Sequence, residues 1–360
     1  MIKWQARRFT QLVLLLVSIL ATNFASAAQS LVIGGVTIER PGRTDLRIEI
    51  PAGSTDPATF IPVSVLRGAK AGPTLLMVAG VHGFEFTSIL GAERLADEIA
   101  PDELAGTFII VRVANVAAYE QKSTHVNPYD RKNLNRSFPG RADGTQTERI
   151  AHALSTELIA KADFVIDAHN GDGAEWLASF AGIYGGPLAS DFDTALGVAR
   201  AMGLPNIVRY TMNTQAQIDT GRSLNRQAVA AGLPTVLIEI GENGERDPQN
   251  VDALLHAIRA TLIYLEMLPG ELPPAATSPR YFESTTSVPA SYSGLWHPLH
   301  LEGRDVLAGE LLGVIRDYSG KVVERIRAPV SGFALYGAAG PPVRAGDSLM
   351  QIARPVESFE

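Results

Sequence analysis

Hydrophobic and polar positions change period several times along the chain, and each change marks an element. Val36-Thr37-Ile38, Leu46-Arg47-Ile48-Glu49-Ile50 and Ile61-Pro62-Val63-Ser64-Val65-Leu66 lie between Gly, Pro and Asp turns and predict short strands. Residues 74–80 and 108–113 are almost continuously apolar, the pattern of strands covered on both faces. Between them, residues 86–99 turn helical, with Ile89, Leu90, Leu95 and Ile99 apolar and Pro101 beyond the end. Residues 147–161 predict another helix, and Phe164-Val165-Ile166-Asp167 a strand with His169 just past its end. A helix over 223–231, a buried strand over 234–240 and a helix over 251–268 follow. Strands alternating with helices predict an α/β sheet with helices on both faces. Ligands gather at the carboxyl ends of such strands, where His82, His169 and Glu239 all fall. Residues 115–144, rich in Asn, Pro, Asp and Gly, predict a long loop, and loops of that length are usually functional or disordered.

The two ends depart from this alternation. Lys3, Arg7 and Arg8 precede the apolar run Leu12-Val13-Leu14-Leu15-Leu16-Val17-Ser18-Ile19-Leu20, and Ala25-Ser26-Ala27 follows, the three parts of a secretory signal peptide. The run is too short to span a bilayer, which takes about 20 apolar residues. Export is therefore expected, with a bacterial periplasm as destination and no stable membrane anchor after cleavage.

At the other end, Leu272-Pro273-Pro274-Ala275-Ala276-Thr277-Ser278-Pro279 reads as a linker. Beyond it Val306, Ala308, Gly309, Glu310, Leu312 and Ile315 recur 37 positions later as Val343, Ala345, Gly346, Asp347, Leu349 and Ile352. Two similar β units predict a small pseudo-symmetric β domain. It resembles the lipoyl/biotinyl carrier fold, but Ala328-Pro329-Val330-Ser331-Gly332 lacks the Met-Lys hairpin of a carrier, so a scaffold is expected. The expected organisation is a signal peptide (1–27), an α/β domain (28–271), the linker (272–279) and a C-terminal β domain (280–360).

Composition narrows the partners. Hydrophobic residues make up 46% and charged residues 19% of 360, which favours a packed core over disorder. The formal charge of −7 becomes −10 once residues 1–27, with three basic and no acidic groups, are removed. No basic tract then remains, so nucleic acid and anionic membrane surfaces are poor partners. Absence of cysteine excludes disulfides, thiolate metal sites and cysteine nucleophiles.

Four short islands carry candidate chemistry. His82-Gly83-Phe84-Glu85 places an imidazole and a carboxylate three residues apart where a strand turns into a helix, with Gly80 and Gly83 permitting a sharp turn. Asp167-Ala168-His169 adds a second imidazole, which Asp167 could hold from behind. Two imidazoles and a carboxylate form the ligand set of a hydrolytic zinc site with one position open. A hydrogen-bonded histidine beside a helix-start carboxylate is the plainer alternative. Asn133-Leu134-Asn135-Arg136-Ser137-Phe138-Pro139-Gly140 flanks a guanidinium with carboxamides, which suits planar recognition of a carboxylate or a loop stapled down by Arg136. Glu239 interrupts an apolar strand, and a carboxylate there has either a task or an ion-pair partner.

These islands, in this order, resemble the succinylglutamate desuccinylase/aspartoacylase family of the zinc metallocarboxypeptidase superfamily, over roughly residues 70–270. The resemblance implies a mixed sheet with helices on both faces, as in zinc carboxypeptidases, plus a small C-terminal β domain. It further implies one zinc ion bound by His82, Glu85 and His169, with Glu239 as general base and Asn135 and Arg136 holding a substrate carboxylate. Family members also carry an arginine upstream that polarises the scissile carbonyl. Thr124 stands at that place, and Arg131 or Lys122 is expected to substitute.

The leading expectation is a zinc amidohydrolase acting on a small molecule or peptide with a carboxylate. Its substrate is either an N-acyl amino acid or, for a metallocarboxypeptidase, a peptide or cell-wall fragment. A non-catalytic carboxylate-binding protein and a β-domain adaptor are the other readings. Oligomeric state is left open.

Overall fold

The first elements of the computed structural model form a two-stranded ribbon, β1 (Leu31–Ile33) with β2 (Val36–Ile38). The structure describes residues 30–189, 191–220, 222–272, 278–299 and 302–359, so the expected signal peptide and most of the expected linker lie outside it. After the ribbon come β3 (Gly42–Ile50), β4 (Thr59–Arg67), β5 (Lys70–Val78), α1 (Phe86–Glu98) and β6 (Ala105–Val111). The stretch expected as one long loop contains a short helix, α2 (Val116–Glu120), and a tight 3-10 turn (Leu134–Arg136). Helix α3 (Gln146–Ala153) runs on through a π turn to Leu158.

Then follow β7 (Phe164–His169), β8 (Glu175–Leu177), β9 (Phe180–Gly185), α4 (Phe192–Ala201), β10 (Asn206–Thr211) and α5 (Gln215–Asp219). The series closes with α6 (Leu224–Ala230), β11 (Thr235–Glu239) and α7 (Pro248–Tyr264). His169 is the last residue of β7 rather than a residue beyond it, because its main chain is still paired with Glu239 of β11.

At the centre, β5, β6, β7 and β11 run parallel, while β9 lies antiparallel to β11. The mixed α/β sheet matches the expectation. Alternation on β5 divides the core: Leu75 and Met77 pack with α1, α4 and α7, while Leu76 and Val78 pack with α3 and α6. All four side chains are fully buried, as expected for a strand covered on both faces.

The C-terminal part comprises β12 (Arg280–Pro289), β13 (Gly294–Pro298), β14 (Asp305–Val306), β15 (Leu311–Arg316), β16 (Val322–Arg327), β17 (Gly332–Ala338), β18 (Pro342–Val343) and β19 (Ser348–Val356). The 37-residue repeat becomes a reciprocal exchange: β14 of one unit pairs with β17, and β18 of the other pairs with β13. Val306 and Val343, Leu312 and Leu349, and Ile315 and Ile352 all enter one buried cluster. Strand β12 pairs in parallel with β10 and antiparallel with β19. A single thirteen-stranded sheet therefore runs from the α/β layers into the C-terminal unit. Strand β8 pairs with β17 at the same junction.

Candidate metal and substrate site

The turn after β5 is built around two glycines. Gly80 has a φ of +65°, and Gly83 lies so close to the backbone of Ala118 and Ser123 that a Cβ would come within 2.5 Å of their carbonyl oxygens. The Gly83 N–H donates to the Thr124 carbonyl at 2.8 Å. This packing delivers His82 and Glu85 to the start of α1. Across the sheet, His169 and Glu239 are direct register partners at the ends of β7 and β11. Four residues from distant parts of the chain thus meet at one sheet edge, as strand-end placement predicts.

The Nδ1 atoms of His82 and His169 lie 2.6 and 2.9 Å from Glu85 Oε1. One ligand atom from each of the three residues fits within 4.8 Å of the others. The outward nitrogens are held from behind: His169 Nε2 lies 2.8 Å from Asp167 Oδ1, and His82 Nε2 lies 3.2 Å from Asn133 Oδ1. Donation of both Nε2–H groups leaves the two Nδ1 atoms free to coordinate a cation. Glu85 Oε2 is buried and takes no hydrogen bond. An orphaned carboxylate oxygen beside two converging imidazole nitrogens fits a zinc ion.

Charge is concentrated here. Burial opposes ionisation of Glu85, but His169 and His82 outweigh it and hold its carboxyl down at about 2. Burial also opposes protonation of His169, yet Asp167 and Glu85 raise its pKa well above the usual imidazole value. Glu239 moves the other way, with burial and the carboxylates of Glu85, Glu175 and Asp167 prevailing over His169 to push it well above the ordinary range.

These groups open into a cavity of about 570 Å³. Asn135 lines it, its Oδ1 accepting the Leu224 N–H at the start of α6 (2.9 Å) and its Nδ2 3.4 Å from His169 Nε2. Arg136 lines the exposed side, with Nη1 donating to the Asn135 carbonyl at 2.7 Å. A buried amide chain pins this loop: Asn127 Nδ2 donates to Gln146 Oε1, and the Gln146 N–H donates to Asp56, which is ion-paired with Arg149.

Arg131 is a correction. It is exposed, has a φ of +59°, and its N–H closes a turn onto the Asn127 carbonyl, so it does not line the cavity. Lys122 is likewise exposed and outside the cavity lining. The additional basic residues at the cavity are Arg222 and Arg226, four apart across the Ser223 cap of α6. That spacing around a capping serine was visible in the sequence. Tyr184, Tyr210 and Tyr336 line the cavity too, kept neutral by burial, and Tyr336 comes from β17 of the C-terminal unit. His125, without an evident setting in the sequence, lies 3.6 Å from Asp172 at the cavity wall.

An acid-lined cleft with converging imidazoles, at the carboxyl ends of a mixed sheet, defines a hydrolase-type centre on an α/β scaffold. The chain belongs to the succinylglutamate desuccinylase/aspartoacylase family, whose catalytic-domain model matches residues 71–265. It is 29% identical over 308 residues to an N-α-acetyl-L-2,4-diaminobutyric acid deacetylase of Halomonas elongata, covering 84% of this chain and 88% of that protein. The product-bound structure of the ectoine utilization protein EutE (DoeB) of Ruegeria pomeroyi superposes with a TM-score of 0.79 at 24% identity, covering 91% of this chain and 100% of that one. An aspartoacylase family protein of Mesorhizobium loti superposes with a TM-score of 0.72 at 26% identity, covering 89% and 97%. Family and relatives together support an amide deacylase.

Proposed function

We propose that the chain is a zinc-dependent deacylase that hydrolyses the amide of an N-acylated amino acid held by its free carboxylate. The observation that carries this reading is the convergence of the two Nδ1 atoms on Glu85, with Glu239 paired in register to His169 at the cavity wall. The Halomonas deacetylase, similar along most of the chain, favours an acylated amino acid over a peptide as substrate.

Zinc held by His82, Glu85 and His169 would supply Lewis acidity, bringing a water's pKa to about 7 and stabilising oxyanion charge. Glu239 accepts the proton of the attacking water and returns it to the departing amine. A carboxyl whose pKa burial raises above the ordinary carboxylate value is a stronger base than a solvated one, which suits a proton acceptor. Asp167 and Asn133 fix the tautomers of the two histidines. Arg136, with Asn135 beside it, binds the substrate carboxylate, and Arg222 and Arg226 extend that basic side.

The reading includes export of the mature chain, supported by the basic, apolar and small-residue segments before residue 28. It is tested by hydrolysis of N-acyl amino acids with the zinc-loaded mature protein, with and without chelator. Amide cleavage abolished by chelation and restored by zinc is expected. Failure to cleave any N-acyl amino acid, or full activity in a metal-free preparation, would overturn it.

A further inference from the structure

Glu85 occupies the N-cap of α1, where a side-chain oxygen ordinarily accepts a free N–H from the first turn of the helix. Its side chain takes no such hydrogen bond. Oε1 is turned to the two imidazoles, and the buried Oε2 has no hydrogen-bond partner. A carboxylate that capped the helix would have an oxygen tied to the backbone and would be less free to meet a cation.

The cap comes instead from another part of the chain. Asn170, which follows His169 at the end of β7, accepts the Ser88 N–H on its Oδ1 at 3.2 Å. Ser88 is the third residue of α1, and the N–H at that position is a usual target of a capping side chain. Asn170 is 1% exposed and Ser88 is fully buried, so solvent does not replace this bond. The Asn170 amide is itself held, with Nδ2 donating to the Gly171 carbonyl at 3.1 Å. Gly171 is in turn clamped to the chain after β11: its N–H donates to the Gly241 carbonyl at 2.9 Å, and its carbonyl accepts from Gly244 at 2.8 Å. The Ser88 hydroxyl closes the turn by donating to the Glu85 carbonyl at 2.9 Å.

We propose that Asn170 is a positioning residue of the metal site. By capping α1 from the end of β7, it releases the Glu85 carboxylate from the helix start and ties the helix that follows Glu85 to the strand that carries His169. In its absence the acceptor standing at the N-cap is Glu85 itself, and a carboxylate drawn onto the first turn leaves the imidazoles. The proposal rests on the reading of His82, Glu85 and His169 as zinc ligands.

The test measures zinc affinity of Asn170→Ala by chelator competition, together with thermal melts of the metal-free protein. Affinity about tenfold to a hundredfold below the parent's is expected, the range for groups that orient metal ligands. Metal-free melting should stay close to the parent's, because Glu85 takes up the cap. A merely structural amide gives the opposite pair, a lower melting temperature at unchanged zinc affinity, and that result would overturn the proposal. Asn170→Asp keeps the acceptor and suits a helix start, so it should bind zinc at least as tightly as the parent. Equal loss of affinity in both variants would also count against the cap. Amide exchange in the metal-free parent is a readout independent of how the variants fold: the Ser88 N–H should be protected, and free exchange there would sink the idea. If the parent takes up no zinc, the zinc-deacylase reading falls, and Ser88 exchange then judges the cap by itself: protection upholds it, free exchange removes it.

Discussion

Asp167 and His169 lie two residues apart on β7, on one face of the strand, and the carboxylate oxygen of the first is 2.8 Å from Nε2 of the second. The spacing is enough to orient the ring, because side chains at i and i+2 of a strand share a face. Both residues are almost completely buried, so the imidazole has little freedom to turn. The Asp167–His169 pair therefore leaves Nδ1 as the nitrogen that faces Glu85.

Asp167→Asn should weaken zinc binding by about tenfold to a hundredfold, the range found for partners that orient a metal-bound histidine. Competition with a chromophoric chelator measures this directly. An affinity equal to that of the parent protein would show that Glu85 and Asn133 suffice to hold the site.

Glu239→Gln should retain zinc while amide hydrolysis falls by about a hundredfold to ten-thousandfold, the usual contribution of a general base. Metal content of the purified variant and single-turnover kinetics separate the two effects. Undiminished turnover would remove Glu239 from the proton-transfer role.

Arg136→Ala should raise KM for an N-acyl amino acid by about tenfold to a hundredfold, the loss expected for hydrogen bonds to a charged group. Arg136→Lys should recover only part of this, since a point charge does not reproduce the planar fork. An Arg136→Ala variant with unchanged KM would move the carboxylate anchor to Arg222 or Arg226.

The convergence of His82, His169 and Glu239 was readable because each ends or follows an apolar run: residues 74–80 before His82, 164–166 before His169, and 234–238 before Glu239. The rest of the cavity was not. Arg226, Glu175 and Tyr336 reach it from a helix start, a three-residue strand and the C-terminal unit, through pairings that leave no local period. The segment over β9 and β10 carried too many glycines and too short a run to announce its strands. Parallel pairing of β12 with β10 was hidden by the polar Glu283-Ser284-Thr285-Thr286-Ser287. Arg131 illustrates the opposite error, in which proximity in sequence to Asn135 did not become proximity to the cavity.

Acid stability provides a further check, away from the metal. Glu148 accepts the Thr145 N–H at 2.9 Å and pairs with Lys132 at 3.0 Å, and these contacts lower its carboxyl from an ordinary 4.5 to about 2. A carboxyl depressed in the folded state stabilises fully above its unfolded pKa, and that contribution is lost as pH falls from about 5 to about 2. Its size is on the order of 1–2 kcal/mol after allowance for partial exposure. Thermal melts across this window should fall less steeply for Glu148→Gln than for the parent, and identical slopes would assign the acid sensitivity to other carboxylates.

The pairing of β10 with β12, and of β8 with β17, has a consequence for cooperativity. Heat has no seam at which to separate catalytic layers from tail, because breaking either pairing strips hydrogen bonds from strands that also shape the cavity. Trp296, deep in the tail, shares one buried cluster with Trp176 of β8. What looks in the sequence like an appended module shares main-chain hydrogen bonds with strands that wall the cavity.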